Sequence, residues 1–108
     1  MKFQVLVTER AERELNEATD YIAKEAPGAA QRWHDGFIAC LHSLAVNPTR
    51  CSKARENDRF PFDLYQLLFG QRNSYRAVFT VRDDTVAILS IRHTARRDLR
   101  PSDFVNDG

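Results

Sequence analysis

Apolar residues recur at helical spacing in two stretches of the first half of the chain. Thr8 is a suitable N-cap for the first stretch, which ends at Pro27 and Gly28 because proline disfavours helical geometry in the residue before it. The second stretch ends at Asn47 and Pro48. The recurring apolar positions are Ala11, Leu15, Ala18, Tyr21 and Ile22 in the first stretch, and Ala30, Trp33, Phe37, Leu41 and Leu44 in the second. The pattern predicts two amphipathic helices that form an antiparallel hairpin and bury these stripes in a core.

The remaining apolar segments favour strands. Phe3, Val5 and Val7 occupy alternate positions near the N-terminus, which indicates a short opening strand. The second half of the chain adds three β-prone segments with polar turns between them, which predicts three antiparallel strands in a meander. These segments are residues 62–69, 75–81 and 86–91, and the turns are residues 70–74 and 82–84.

The element order is therefore β-α-α-β-β-β, which is typical of an α+β fold. We expect the helical hairpin to pack on one face of a small, mainly antiparallel sheet. Residues 49–61 are polar and have no apolar period, so they are predicted to form a surface loop. The sheet face opposite the helices is expected to be partly open, and functional side chains would most easily lie there.

Length and composition fit a single domain over residues 1–108. No apolar run approaches the roughly 20 residues that cross a bilayer, and the N-terminus lacks the pattern of a secretory signal. We therefore expect a cytoplasmic protein with no membrane partner. Cys40 and Cys51 have no metal-ligand spacing and are expected to be free thiols, although a disulfide stays open. His34 and His42 lie too far apart on one helix to chelate, so no metal or cofactor is predicted.

The C-terminal region concentrates positive charge on a chain whose net charge is only +1. Residues 92–100 hold four arginines and one acid, Asp98, so the segment carries +4 − 1 = +3. Local basicity on a nearly neutral chain favours an anionic or acidic partner, and a merely charged tail is the plainer alternative. His93 is the one residue of the tail that offers a general acid or base.

Strand alternation assigns Arg76 to the face away from the helices. Tyr75, Ala77 and Phe79 would face the helical core, so Arg76 would point to the open face, where its planar fork could bind phosphate or carboxylate. The alternative is a salt bridge at the sheet edge to an acid such as Asp63.

Four segments together resemble the RelE/ParE superfamily of toxins from type II toxin–antitoxin systems, which include plasmid-stabilisation proteins. They are residues 66–70, 75–81, 85–86 and 91–96, with the Tyr75-Arg76 pair, the Arg92-His93 pair and the trailing Arg96 as the most specific features. The resemblance covers nearly the whole chain. It implies a growth-inhibiting toxin that a cognate antitoxin neutralises. RelE-like members cleave mRNA in the ribosome, and ParE-like members poison DNA gyrase.

The resemblance also assigns candidate site residues. If the protein is a ribonuclease, Arg76, His93 and Arg96 would be catalytic. The predicted target-binding residues are Lys53, Arg76, Arg92, His93, Arg96 and Arg97. Cleavage by the ribose 2′-hydroxyl needs a base, an acid and phosphate stabilisation together.

This acid–base set is incomplete here, because Lys53 is the one lysine of its loop and no tyrosine follows Tyr75. We therefore expect a ParE-like toxin that binds a protein target such as gyrase. A ribosome-dependent endoribonuclease is the alternative, and an inactive member that serves as a binding module is a further one.

Overall fold

Two helices lie against one face of a five-stranded sheet whose strand order is β1-β5-β4-β3-β2. The structure is a computed structural model and describes residues 2–104. Strand β1 runs parallel to β5, and all other neighbours are antiparallel. The predicted α+β fold and its element order are confirmed, with one short strand added. The elements are β1 (Gln4–Val7), α1 (Glu9–Ala23), α2 (Pro27–His42), β2 (Ser52–Lys53), β3 (Tyr65–Phe69), β4 (Tyr75–Arg82) and β5 (Thr85–His93).

Thr8 joins the first helix to the sheet. Its Oγ1 accepts a hydrogen bond from the N–H of Ala11 at 3.3 Å and donates one to the carbonyl of Ile88 at 2.6 Å. The predicted N-cap is therefore confirmed. Pro27 has a different role from the predicted one, because it is the first residue of α2. Proline has no backbone N–H, and at the first position of a helix this loses no hydrogen bond, since the first N–H groups of a helix have no partner within it.

The main core lies between the helical hairpin and the sheet. Phe37 is fully buried at its centre, and Trp33 packs edge-on against it with the ring centroids 5.4 Å apart. Tyr75 also packs against Trp33, at 5.0 Å between centroids. Aromatic packing of this kind contributes beyond its buried area. The predicted core role of the helical stripes is confirmed for the buried residues Ala11, Leu15, Ala30, Phe37, Leu41 and Leu44, but it is wrong for Tyr21, which is 71% exposed near the end of α1.

A β-bulge changes the alternation in the middle of β5. Phe79 pairs with Ile88 whereas Val78 pairs with Ser90, so Leu89 is an extra residue on β5. The insertion lets Ile91 join Ile88 in the main core despite their odd spacing. It also sets the register beyond the bulge, where Arg92 lies directly opposite Arg76.

The sheet face away from the helices is covered in its central part, so the prediction of an open face is wrong there. A second core forms from Ala54, Leu64, Val78 and Leu99, all nearly or fully buried. Residues 54–64 and the tail after β5 supply the cover, so the predicted surface loop is also a structural layer. The face stays accessible near the β4–β5 turn, at a groove of about 500 Å³ whose lining includes Phe62, Thr80 and Ala87.

Arg55 ties the two covering segments together. Its guanidinium donates to the carbonyls of Thr94 at 3.0 Å and Arg96 at 2.7 Å, and to the carboxylate of Asp98 at 2.5 Å. The tail is thus fixed by both apolar packing and directional hydrogen bonds. Neither of the two α-helices described here has the length and apolarity that a membrane crossing requires.

Candidate functional site

Arg76 lies beneath the cover, where it forms a buried ion pair with Glu56. Its Nη1 donates to Glu56 Oε1 at 2.8 Å and to Gln66 Oε1 at 3.2 Å, and its Nη2 donates to Glu56 Oε2. The side chains of Arg76 and Glu56 are 1% and 0% exposed. The backbone N–H of Leu99 also donates to Glu56 Oε2, at 2.8 Å.

The predicted position of Arg76 on an open face is therefore wrong. The alternative prediction, a salt bridge at the sheet edge, was right that Arg76 is paired with an acid. The acid is Glu56, however, and the pair is buried in the interior. Asp63 pairs instead with Lys53, at 3.2 Å. The physical reason is the cover itself, because a guanidinium under a layer of protein requires a carboxylate beside it.

Glu56 is held in its ionised form by its surroundings. Burial by itself raises the pKa of this carboxyl, but hydrogen bonds from Arg76 and Leu99, with the charge of Arg76, outweigh that effect. The net result is a pKa below the ordinary glutamate value. A carboxylate that stays charged in the interior is the required partner of a buried guanidinium.

The lowered pKa of Glu56 predicts that the stability of the fold decreases in the acidic pH range. A group whose pKa is lowered on folding stabilises the protein fully above its unfolded pKa, about 4.3 for glutamate, and this contribution is lost as the pH falls through the folded value. Wild type should therefore lose stability steeply below about pH 4.3, and Glu56→Gln should show a shallower loss. Urea unfolding midpoints across the acidic range measure it.

Asp103→Asn is the comparison variant, because Arg97 and the N–H of Arg100 hold the pKa of the Asp103 carboxyl well below its usual range. It should remove a separate, additive part of the acid dependence. Equal slopes for wild type and Glu56→Gln would contradict the prediction.

Arg92 is buried next to this pair, at 2% exposure. Its Nη2 donates to the carbonyl of Arg97 at 2.6 Å. Within residues 2–104, no group accepts a hydrogen bond from its Nε or Nη1. Burial, with the nearby charge of Arg96, lowers the pKa of Arg92 to about 10. Arg92 is therefore an incompletely compensated cation at the end of β5.

The accessible cations lie around the end of β5. His93 is exposed, its Nδ1 accepts from the N–H of Ala95 at 3.0 Å, and its ring lies 5.1 Å from that of Tyr75. Arg96 is half exposed and donates to Glu14 at 3.3 Å. Arg97, also half exposed, forms two hydrogen bonds with Asp103, at 2.9 and 3.0 Å.

The acids that pair with the tail arginines lie outside residues 92–100. Asp98 pairs with Arg55 and Arg59 of the covering segment, so it does not offset the tail arginines. Glu14 of α1 and Asp103 provide that compensation instead. The positive charge deduced from residues 92–100 is therefore balanced in part, at Arg96 and Arg97. Sequence proximity gave no sign of the Glu14 partner, since Glu14 and Arg96 are 82 positions apart.

The fold brings most of the predicted site residues together but leaves one apart. Arg76, Arg92 and His93 lie on the paired ends of β4 and β5, and Arg96 and Arg97 follow directly. Lys53 lies on β2, at the far edge of the sheet, with its ammonium over the ring of Tyr65 at 5.2 Å. The sequence interpretation missed Glu56 and Glu14, because no local pattern marks an acid whose partner is remote.

Comparison with known proteins agrees with this architecture. The family model that matches residues 5–98 is described as the ParE toxin of the type II toxin–antitoxin system parDE. No curated protein sequence matches the chain. A solved structure of a chromosomal ParDE TA system from P. aeruginosa is similar at 18% identity and a TM-score of 0.70, over 85% of this chain and 96% of that one.

A second similar structure is the E. coli toxin RelE, a double arginine-to-alanine mutant in the free state. It is 20% identical with a TM-score of 0.55, over 88% of this chain and 86% of that one. At these identities the two structures show a shared fold. The family match spans most of the chain, so its assignment does not depend on them. The chain belongs to the ParE toxin family of type II toxin–antitoxin systems.

Proposed function

We propose that this toxin inhibits growth by binding a protein target such as DNA gyrase, and that a cognate antitoxin neutralises it in the cytoplasm. The family supports the toxin role and the pairing with an antitoxin. The geometry around Arg76 favours a protein target over mRNA cleavage.

The observation that carries the proposal is the ion pair of Arg76 with Glu56. Stabilising a cleaving phosphate requires donors free to meet the charge that develops on it. Both Nη atoms of Arg76 are occupied by acceptors of this chain, and the side chain is 1% exposed. An RNA phosphate would have to displace a buried carboxylate, which is costly.

The target contacts are assigned to the accessible cations. His93, Arg96 and Arg97 form one basic rim at and after the end of β5, and Lys53 is a separate exposed cation on β2. Arg76 and Arg92 would act indirectly, by holding the sheet end and the tail in place. Charges at the rim of an interface mainly set association rate and salt dependence.

Purified toxin at micromolar concentration should inhibit supercoiling by DNA gyrase and increase double-strand cleavage of the plasmid. Arg96→Glu should weaken inhibition by roughly 10-fold or more, because it reverses a charge at the proposed contact. Arg32→Gln removes an exposed charge of α2 that is outside the proposed contact residues. It is the matched control and should inhibit as wild type does.

Three results would count against this proposal. Gyrase unaffected by folded, growth-inhibiting toxin would exclude it as the target. New ribosome-phased mRNA 5′ ends during brief induction, absent in Arg76→Ala, would favour the endoribonuclease instead. Folded protein without growth inhibition in a sensitive host would indicate an inactive binding module.

A further inference from the structure

The sheet face away from the helices presents apolar surface to solvent near the β4–β5 turn. There Leu6, Ala87 and Thr80 lie side by side on β1, β5 and β4. Their neighbours Val7 and Ile88 pack in the main core, so strand alternation turns Leu6 and Ala87 to the opposite face. Leu6 is 55% exposed there, which is unusual for a large apolar side chain in the middle of a strand.

Phe62 forms one wall of a groove on this surface, which we call the turn groove. The groove measures about 500 Å³, and its lining includes Phe62, Thr80 and the turn residues 82–85. Phe62 is 40% exposed, and its ring packs against that of Phe60 at 5.7 Å between centroids. Thr80 Oγ1 donates to the carbonyl of Asp63 at 2.8 Å, which fixes the segment beside Phe62 to β4. The wall is therefore held in place before a partner arrives, and this lowers the cost of binding.

Leu6 extends the apolar surface of the groove onto β1, because it lies next to Ala87 of the groove lining. From Leu6 across β5 and β4 to the segment of Phe62 there are three spacings between neighbouring chains, roughly 15 Å at about 4.8 Å each. An extended peptide advances about 3.3–3.6 Å per residue, so about four residues span this distance. Exposed apolar side chains on one continuous surface are typical of an interaction site, whereas scattered ones are ordinary.

The charged residues of the lining indicate the kind of partner. Asp63, Asp83 and Asp84 outnumber Arg82, so the net charge of the lining is −2. Lys53 pairs with Asp63 at 3.2 Å and reduces this charge to −1. Within residues 2–104, Arg82, Asp83 and Asp84 form no ion pair, and all three are exposed. An apolar groove with an excess of free carboxylates favours a partner that is both apolar and cationic.

We propose that the turn groove binds a short extended segment of a partner protein, about four residues long, in which leucine-like side chains lie next to lysine or arginine. The apolar side chains pack on Ala87 and Phe62. The cations pair with Asp83 and Asp84, or lie over the face of the Phe62 ring. Apolar anchors with flanking charges are a common way for a protein surface to recognise a peptide.

The turn groove and the basic rim lie at opposite ends of the β4–β5 hairpin. The turn residues Asp83 and Asp84 are at one end, and Tyr75 pairs with His93 at the other. The 8 residues of β4 separate the two ends by roughly 25 Å. A partner in the turn groove would therefore leave the rim free for the target. This second surface goes beyond the proposed function, which uses the rim.

The test uses the full chain, labelled with ¹⁵N, and the probe peptide N-acetyl-Lys-Leu-Leu-Lys-amide. Saturable amide shifts are expected at Thr80, Thr85 and Ala87 and not at His93, with a Kd on the order of 0.1–10 mM for so short a peptide. Two matched peptides separate charge from apolar contact. Replacing both lysines by glutamate, or both leucines by serine, should weaken binding at least about 5-fold.

Two variants of the protein locate the contact. Asp83→Asn with Asp84→Asn removes the free carboxylates and should weaken peptide binding about 3-fold or more. Asparagine suits the left-handed backbone of Asp83, whose φ is 55°. Phe62→Ser removes the wall and should weaken binding at least about 5-fold. The matched controls Asp20→Asn and Leu68→Ser, both at exposed positions outside the groove lining, should bind as wild type does.

The turn groove is not such a site if the glutamate or serine peptide shifts the same amides equally, if the folded variants bind as wild type does, or if nothing binds. Shifts of these amides on raising the protein concentration without peptide would assign the groove to a second copy of the chain instead. Equal affinity for n-butylammonium would make it a site for small amines. If Phe62→Ser does not fold, the double asparagine variant decides. Neither gyrase nor antitoxin is used, so failure here and failure of the gyrase assay are independent results.

Discussion

Replacing Glu56 by alanine is expected to destabilise the protein by about 3–5 kcal/mol, because it leaves the Arg76 guanidinium buried without its counter-charge. The pair is almost completely buried, and Glu56 also accepts the N–H of Leu99. Small domains have total stabilities of only about 5–15 kcal/mol, so the variant should be close to unfolding. Urea unfolding at neutral pH, followed by circular dichroism, measures the loss.

The double variant Glu56→Leu with Arg76→Met is the decisive control. It removes both charges of the pair, so the loss should fall to about 1–3 kcal/mol, which reflects the unpaired N–H of Leu99 and imperfect packing. A loss below about 1 kcal/mol for Glu56→Ala alone would contradict the buried pair. So would a double variant as unstable as the single one, since coupled residues should not behave additively.

The double variant also informs function. If it is folded and still inhibits growth, Arg76 is not needed for the toxic reaction, as the proposed protein target requires. Loss of inhibition with the fold intact would favour the ribonuclease.

Replacing Leu99 by alanine is expected to cost about 2–5 kcal/mol, the range for a buried leucine. Leu99 is fully buried in the second core with Val78 and Leu64, although it lies in a segment that reads as a charged tail. The cost should be in the upper part of that range, because the same residue anchors the N–H that binds Glu56. The change in the urea midpoint reports it.

Leu68→Ala is the matched control for this prediction. Leu68 is 41% exposed on β3, so the same chemical change should cost roughly 1 kcal/mol or less. Equal losses for the two variants would mean that the tail does not pack on the sheet. In that case the face around Arg76 would be accessible after all.

Much of the fold could be predicted because its signals are local. The N-cap role of Thr8 and the helical period of Phe37 and Leu41 lie within a few residues of one another along the chain. The turn before Thr85 and the alternation in β4 are equally local. Strand β2 was missed because two residues, Ser52 and Lys53, are too few to show a period.

The candidate site was predictable in membership but not in arrangement. Arg76, Arg92 and His93 were identified, and β4 and β5 do bring them together. The environments of these three residues could not be predicted, because they depend on contacts between segments that are remote in the sequence. Glu56 lies 20 positions from Arg76 and 43 from Leu99, and nothing near Glu56 in sequence distinguishes it from exposed acids of its segment.

The amino-acid sequence by itself determined the helices, the meander, the α+β class and the resemblance to the toxin superfamily. These follow from periodicity, capping and short motifs, which operate over a few residues. The tertiary structure alone decided which cations are free. It buried Arg76 with Glu56, left Arg92 with unpaired donors, and balanced part of the tail charge with Glu14 and Asp103. The reason is physical, since the cost of a charge depends on its three-dimensional neighbours and exposure, and neither is encoded in local order.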